Sequence, residues 1–172
     1  MKKYALVILF LPLFSVAQKR SRSYFNIAAE MFSYSHSDPS FGGSISFGGK
    51  TKYIGIGMGA AVTLLSGTNS SYIPLYAEVS AYSNNRNKKT PNLYGCIQMG
   101  YGIYNSDSYS LINRSGGVYF SPGGGVLLPI KKFDLLIKLA YVRSSFNVKS
   151  NTGQHLDTQN SDGLKASVGL SF

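Results

Sequence analysis

The sequence predicts an all-β protein that forms one eight-stranded antiparallel up-and-down transmembrane β-barrel. Three observations support this fold class. Apolar residues alternate with small or polar ones in stretch after stretch, and only 14% of the residues are charged, against about 25% in soluble domains. After the amino terminus, no apolar run approaches the roughly 20 residues of a transmembrane helix. Because strand side chains alternate between faces, each stretch would be a strand with one apolar face.

Eight stretches alternate in this way between breaks that are rich in turn residues. The predicted strands are Tyr24–Ser33, Phe41–Gly49, Tyr53–Leu64, Tyr72–Tyr82, Leu93–Tyr104, Gly117–Leu128, Phe133–Tyr141 and Asp162–Phe172. Gly117–Leu128 is the least regular, because Pro122 and Gly123–Gly125 indicate a bend or bulge there. An even number of strands is expected of bacterial single-chain barrels with both chain ends on the periplasmic side.

The connections between the predicted strands fall into two classes. Gly49–Lys52 and Pro129–Lys132 would be short periplasmic turns, with Ser83–Asn92 a longer one. The outward loops would be Tyr34–Ser40, Leu65–Ser71, Asn105–Gly116 and Arg143–Ser161. Basic residues gather at the predicted periplasmic end: Lys19, Arg20, Arg22, Lys50, Lys52, Arg86, Lys88, Lys89, Lys131 and Lys132. Aromatic residues near both ends of the apolar faces fit the belts at the two membrane interfaces.

The amino terminus has the pattern of a secretory signal. Lys2 and Lys3 precede the apolar stretch Tyr4–Phe14, and Ser15-Val16-Ala17 forms a small-x-small cleavage site. We therefore expect residues 1–17 to be a cleaved signal peptide and residues 18–172 to be the barrel domain. Cys96 is the single cysteine, which excludes an internal disulfide.

The strand Asp162–Phe172 alternates to an aromatic end, and it resembles the terminal strand of bacterial outer-membrane β-barrels. In those proteins this strand is the signal for barrel assembly. The resemblance implies that Val168, Leu170 and Phe172 form this signal here. With this ending and the strand pattern, the chain resembles the small OmpA/OmpX-type outer-membrane barrels. The resemblance implies outer-membrane lipids and the barrel-assembly machinery as partners, and a location in the cell outer membrane of a Gram-negative bacterium.

The interior of an eight-stranded barrel is just wide enough for side chains to fill it. The main charges on the predicted inward faces are Glu30, Glu78, Lys138 and Lys165. We expect them to form a buried ionic network, because an unpaired buried charge is costly whereas a well-paired one roughly breaks even. Such a network would fix strand register more than it adds stability. The alternative is a gate for ions.

Glycines alternate along the predicted inward face of the third strand. Gly55, Gly57 and Gly59 lack the helix and the Lys that a phosphate-binding loop requires. They are expected instead to make room for the rings of the next strand, which are Tyr72, Tyr76 and Tyr82.

Other chemistry is weakly supported by the sequence. His36 lies among Ser and Asp residues, and His155 lies near Asp157, as in lipid A-modifying barrel enzymes. Nucleophilic catalysis needs a base that reaches both its acid and its hydroxyl, and a solvated polar loop is the better explanation of these residues. We predict no catalytic residue, no cofactor and no metal site. The net charge is +10, but the basic residues do not form one patch with interleaved aromatic residues, as in a nucleic-acid-binding protein.

The predicted function is therefore a non-enzymatic outer-membrane barrel with a structural or surface-interaction role. Asn105–Gly116 and Arg143–Ser161 would be its interacting loops, since they are polar and rich in Ser and Asn. Alternatives are an accessory subunit of a larger outer-membrane assembly, a lipid A-modifying enzyme and a narrow channel. Binding of other outer-membrane or extracellular proteins would follow from the first two.

Overall fold

The computed structural model describes residues 22–34, 39–66, 70–83, 90–106, 112–150 and 155–172. The regular elements in these ranges are β-strands. They are β1 (Arg22–Tyr34), β2 (Ser40–Lys50), β3 (Ile54–Leu65), β4 (Ser70–Tyr82), β5 (Asn92–Ser106), β6 (Ile112–Ser115), β7 (Gly117–Ile130), β8 (Phe133–Ser150) and β9 (His155–Ser171). No helix within the described ranges is long and apolar enough to cross a membrane. Residues 1–17 and His36 lie outside the described residues.

The strands close into a barrel. Each is antiparallel to its neighbours in the order β1-β2-β3-β4-β5-β7-β8-β9, and β9 pairs back onto β1. The segments β6 and β7 both pair with β8 and are separated only by Gly116, so together they form one strand of the barrel wall. This confirms the predicted eight-stranded antiparallel barrel.

The two faces of the wall separate as the alternation predicts. On β3, Ile54, Ile56 and Met58 point outward and are exposed, whereas Ala61 and Thr63 are buried in the interior. Many large apolar residues are exposed, including Leu139 at 69% and Leu164 at 68%. An apolar exterior around an interior that holds many buried polar side chains differs from the arrangement of a soluble globular domain.

Two predicted outward loops are wrong in large part, because their chains continue as strands. Asn105–Gly116 contains the end of β5 and all of β6. Arg143–Ser161 is mostly the outer half of a long hairpin, in which β8 and β9 stay paired as far as Lys149 and His155. The other two predicted loops are shorter than expected, because residues at their ends belong to strands: Tyr34, Ser40, Leu65, Ser70 and Ser71.

Of the bend or bulge predicted at Pro122, the strand register excludes the bulge. β7 keeps the same register with β8 before and after this point, from Phe120↔Arg143 to Gly123↔Ala140. Only the pairing of the two intervening residues is lost. Pro122 has no N–H to donate, yet its other side remains in register with Ile97 of β5.

Short connections lie at one end of the barrel. Thr51–Tyr53 joins β2 to β3, and the Thr51 Oγ1 and backbone N both donate to the carbonyl oxygen of Ile54, at 3.0 and 2.7 Å. Lys131–Lys132 joins β7 to β8, with Lys131 at a φ of 38°. Arg22 and Phe172 lie at this same end, and the β8–β9 hairpin extends from the opposite end.

Candidate functional site

The interior has three layers. The outer half holds an apolar cluster of Phe32, Ala61, Tyr72, Tyr76, Tyr119 and Val142. The half nearer the short turns holds Ala28, Tyr94, Cys96, Leu127 and Leu136. Between the two lies a polar layer, which we call the charged centre: Glu30, Glu78, Gln98, Lys138 and Lys165. The strand pattern produces this order, since Glu30 lies two residues from both Ala28 and Phe32 on the inward face of β1.

Glu30 binds both lysines of the charged centre. Its Oε1 lies 3.5 Å from Lys165 Nζ and 4.0 Å from Lys138 Nζ. The hydroxyls of Ser44 and Ser167 donate to the same oxygen at 2.8 and 3.3 Å. These partners come from β2, β8 and β9, so a single carboxylate oxygen on β1 joins four neighbouring strands.

Glu78 joins the lysines indirectly, through Gln98. Gln98 Nε2 donates to Glu78 Oε2 at 2.6 Å, and Lys165 Nζ donates to Gln98 Oε1 at 3.1 Å. Lys165 Nζ also donates to the Tyr119 hydroxyl at 3.0 Å, and that hydroxyl donates to Gln98 Oε1 at 3.3 Å. The Tyr24 hydroxyl lies 3.5 Å from the second oxygen of Glu78.

The charged centre is buried. The side chains of Glu30 and Lys165 are both 0% exposed, and Lys138 is 6% exposed. With two carboxylates and two ammonium groups, its formal charge is zero. The Glu30 Oε2 atom is buried without a hydrogen-bond partner among the described residues. Since desolvation of each ion costs several kcal/mol, pairing of this quality offsets that cost rather than exceeding it.

Tyrosine rings packed on glycines fill most of the remaining space. A Cβ built at Gly59 would lie 2.7 Å from the Tyr76 hydroxyl, and one at Gly55 would lie 3.1 Å from the Tyr82 ring. The third predicted ring is misplaced: Tyr72 packs over Gly102 of β5, and Tyr24 of β1 covers Gly57. The Tyr72 ring therefore lies over β5, the neighbour of β4 on the other side from β3, whereas the Tyr24 ring reaches past β2 to Gly57 on β3.

A small cavity lies on the short-turn side of the charged centre. Its volume is about 20 Å³, room for a water molecule or two. Asn26, Glu78, Tyr94 and Lys138 contribute to its wall. The Tyr94 hydroxyl and Asn26 Oδ1 are buried without hydrogen-bond partners among the described residues, so the cavity supplies a place where water can satisfy them.

The structure brings the four charges named from the sequence into one layer, but Glu78 contacts neither lysine directly. Sequence reasoning missed Gln98 and Tyr119, which complete the connection. The available signal was their position on inward faces, because a buried amide or hydroxyl needs a partner. No group of three or more His, Cys, Asp or Glu side chains is placed to hold a metal ion in the described part of the chain.

The residues of the expected assembly signal lie at the end of β9, with Phe172 directly after the strand. Val168 faces outward and is exposed. The Phe172 ring lies 6.5 Å from that of Phe25 and 6.1 Å from that of Phe133, which links β1, β8 and the end of β9. His155 is the first residue of β9 and lies opposite Lys149 of β8, far from the charged centre.

Comparison with known proteins yields structural likeness. No protein-family model matches the chain, and no curated protein matches it at a significant level. Neisserial surface protein A has a similar structure, with a TM-score of 0.67 and 13% sequence identity over 87% of this chain and 95% of that one. Outer membrane protein OprG from Pseudomonas aeruginosa has a TM-score of 0.59 and 8% identity, over 88% and 96% of the respective chains. The chain therefore has the fold of the small eight-stranded outer-membrane β-barrels.

Proposed function

We propose that this protein is a non-enzymatic barrel of the outer membrane that presents an interaction surface outside the cell. The observation that carries the proposal is its apolar exterior around a filled interior. Exposed aliphatic and aromatic side chains surround the barrel on every strand that forms the wall, from Ile27 on β1 to Val168 on β9. In water such a surface would aggregate, whereas hydrocarbon tails solvate it and the closed barrel satisfies the backbone.

The orientation follows from the two ends. Small outer-membrane barrels have short periplasmic turns and longer outward connections. The two-residue turn Lys131–Lys132 would therefore face the periplasm, together with both chain ends. The β8–β9 hairpin would face outward.

The β8–β9 hairpin is the best candidate for the interacting surface. β8 has 18 residues and β9 has 17, well beyond the roughly 9–11 that a tilted strand needs to cross the bilayer. The short strand β6 pairs with β8 at Asn147–Ser150, beyond the Arg143–Asp162 ion pair of 3.8 Å. We call this three-stranded sheet of β6, the end of β8 and the start of β9 the outer extension. A sheet continuous with the barrel wall offers a partner a firm platform.

The filled interior argues against a channel. Tyr72, Tyr119 and Phe32 are almost completely buried across the outer half, and the charged centre lies immediately beneath them. An ion would have to displace a ring and separate Glu30 from its lysines. Packing and register are accordingly the roles that we assign to Glu30, Glu78, Lys138 and Lys165.

Export and assembly complete the proposal. Residues 1–17 would direct secretion, and Val168, Leu170 and Phe172 would be read by the barrel-assembly machinery. Phe172 packs between Phe25 of β1 and Phe133 of β8, the two strands on either side of β9. The aromatic end therefore has a packing role as well.

The membrane location is tested by gel mobility of the outer-membrane fraction, with and without boiling in SDS. A folded barrel embedded in the membrane should change mobility on heating. Recovery as a soluble periplasmic protein without such a shift would contradict the proposal, and the interior would then have to be considered as a ligand pocket.

The surface role is tested by photo-cross-linking on intact cells. A photoreactive residue at Asn160, on the exposed outer extension, should give discrete adducts with an extracellular or surface molecule. The matched position is Ile45, which faces lipid in the barrel wall, and it should give lipid adducts only. Discrete protein adducts at Ile45 alone would instead identify an accessory subunit that docks through the barrel wall.

A further inference from the structure

The two ends of the barrel differ in charge. At the short-turn end, basic residues outnumber acidic ones; the described charged residues there are Arg22, Lys50, Lys52, Lys131, Lys132 and Asp134. At the outer end, the described strands hold a nearly balanced set, which is Arg114, Arg143, Lys149, Asp157 and Asp162. The excess of positive charge at one end is therefore a property of that end and not of the whole surface.

The basic residues at the short-turn end form an arc. Arg22, Lys50 and Lys52 lie on β1, β2 and the turn that follows, and Lys131 and Lys132 form the turn between β7 and β8. Since β9 lies between β8 and β1 in the closed barrel, these positions follow one continuous part of the rim. All but Lys50 are exposed, and Lys50 lies with its Nζ 5.8 Å from the centre of the Tyr82 ring. Because the Lys50 ammonium lies over this interior ring, we call only the four exposed residues, Arg22, Lys52, Lys131 and Lys132, the cationic arc.

The cationic arc lies at a fixed distance from the apolar wall. Exposed aromatic rings mark the edge of that wall: Phe25, Phe47, Tyr53 and Phe172. Arg22 lies three residues before Phe25 on β1. With a rise of about 3.3 Å per residue and a tilt of about 35–45°, three residues span roughly 7–8 Å across the membrane. A headgroup layer has about that thickness.

From this geometry we infer that the cationic arc binds the headgroups of anionic phospholipids in the leaflet next to the short turns. The inference rests on the proposed membrane location. Negatively charged headgroups match the arc in charge and depth, while the aromatic rings remain at the hydrocarbon boundary. In Lys52 and Tyr53 the two parts are adjacent, with the ammonium nitrogen 5.0 Å from the ring centre, so that a cation and an aromatic ring lie together at the rim.

The test is lipid selectivity in reconstituted vesicles. The protein is placed in phosphatidylcholine bilayers that contain traces of spin-labelled phosphatidylglycerol or phosphatidylcholine, and electron paramagnetic resonance measures the lipid held at its surface. We expect at least about a threefold preference for phosphatidylglycerol, since one fully engaged Lys or Arg near an anionic surface is worth about fivefold. The preference should fall towards unity in 1 M salt, where the screening length is about 3 Å.

Matched charge removals locate the effect. Lys52→Gln, Lys131→Gln and Lys132→Gln together should remove at least half of the preference on a logarithmic scale. The control removes three positive charges from the outer end, through Arg114→Gln, Arg143→Gln and Lys149→Gln, and should leave most of the preference in place. Equal losses in the two variants would overturn the inference.

The outcomes also separate the inference from the proposed function. If no lipid is held at the protein surface, the barrel is not embedded, and both fail together. If lipid is held without preference for phosphatidylglycerol, or with a preference that 1 M salt leaves unchanged, the membrane location stands and the cationic arc is not a lipid site. The salt experiment uses the unmodified chain, so it decides the matter even if a variant does not fold.

Discussion

The charged centre and the tyrosine–glycine packing fill the same narrow barrel by different means. Around Gly102 and Tyr72, a missing side chain on one strand admits a ring from another, and the fit is one of shape. Around Glu30, a carboxylate is matched with Lys138 and Lys165, and the fit is one of charge. Shape complementarity tolerates small adjustments of a ring, whereas a buried charge that loses its partner strongly destabilises the fold.

This difference predicts which positions depend on each other. Shape packing acts between two neighbours at a time, as between Tyr76 and Gly59. The charged centre connects side chains from β1, β4, β5, β7, β8 and β9, so a change on one strand alters the environment of residues on several others. The three experiments below compare the two kinds of packing.

The largest effect is expected from Glu30→Gln. This change keeps the shape of the side chain but leaves Lys138 and Lys165 buried without their carboxylate, and it should lower the free energy of unfolding by about 3–5 kcal/mol. Urea-induced unfolding in detergent, followed by circular dichroism, measures it.

The matched variant for Glu30→Gln is the double change Glu30→Gln with Lys165→Met. Removing one positive charge together with the carboxylate should restore at least half of the loss. A loss of less than about 1 kcal/mol in the single variant would mean that water reaches these charges, and Lys165→Met alone would then also be silent.

A smaller effect is expected at Tyr119. Its hydroxyl bonds both Lys165 and Gln98, and hydrogen bonds to charged groups contribute about 1.5–3 kcal/mol, so Tyr119→Phe should destabilise by about that amount. Tyr94→Phe is the control, because the Tyr94 hydroxyl has no hydrogen-bond partner in the described part of the chain. It should change the free energy of unfolding by less than about 0.5 kcal/mol. Equal losses would show that the rings matter here only through their shape.

The smallest effect is expected from adding one methyl group to the tyrosine–glycine packing. A Cβ at Gly102 would overlap the Tyr72 ring, and such overpacking costs about 1–3 kcal/mol. Gly95→Ala, on the outward face of the same strand, adds its Cβ 3.8 Å from the nearest atom, the Gly123 oxygen, and should stay within about 0.5 kcal/mol. Thermal unfolding of the two variants in the same detergent gives the comparison. Similar midpoints would contradict a shape-based fit at Tyr72.

Periodicity in the sequence was sufficient for the wall of the barrel and insufficient for what lies beyond it. Ile54–Leu65 alternates strictly because lipid meets one face and the packed interior meets the other. The continuation of β8 beyond Arg143 leaves the apolar zone, so alternation is no longer required and the polar sequence was interpreted as a loop. Pro122 does not cause a bulge, because pairing is lost only on the β8 side of β7 and stays intact on the β5 side.

The charged centre was predictable in composition but not in connection. Glu30, Glu78, Lys138 and Lys165 are rare charges on inward faces, and the alternation alone assigns them to the interior. Which of them meet depends on the relative heights of tilted strands. Gln98, which spans the gap from Glu78 to Lys165, could not be distinguished from any other inward polar residue before the register of β4, β5 and β9 was known.

The pairing of β1 with β9 has a consequence for the order in which the molecule forms. Every other pair of wall strands is adjacent along the chain, but Glu30 and Ser167 meet across 137 residues. Closing such a distance costs more conformational entropy than closing a hairpin, so β1 and β9 should join last. The amides that bond across the β1–β9 pair should then be the last to gain protection in pulsed hydrogen exchange. Until then Lys165 and Glu30 remain on separate edges. The Glu30–Lys165 ion pair can therefore form only when the barrel has closed, and it then stabilises the closed state.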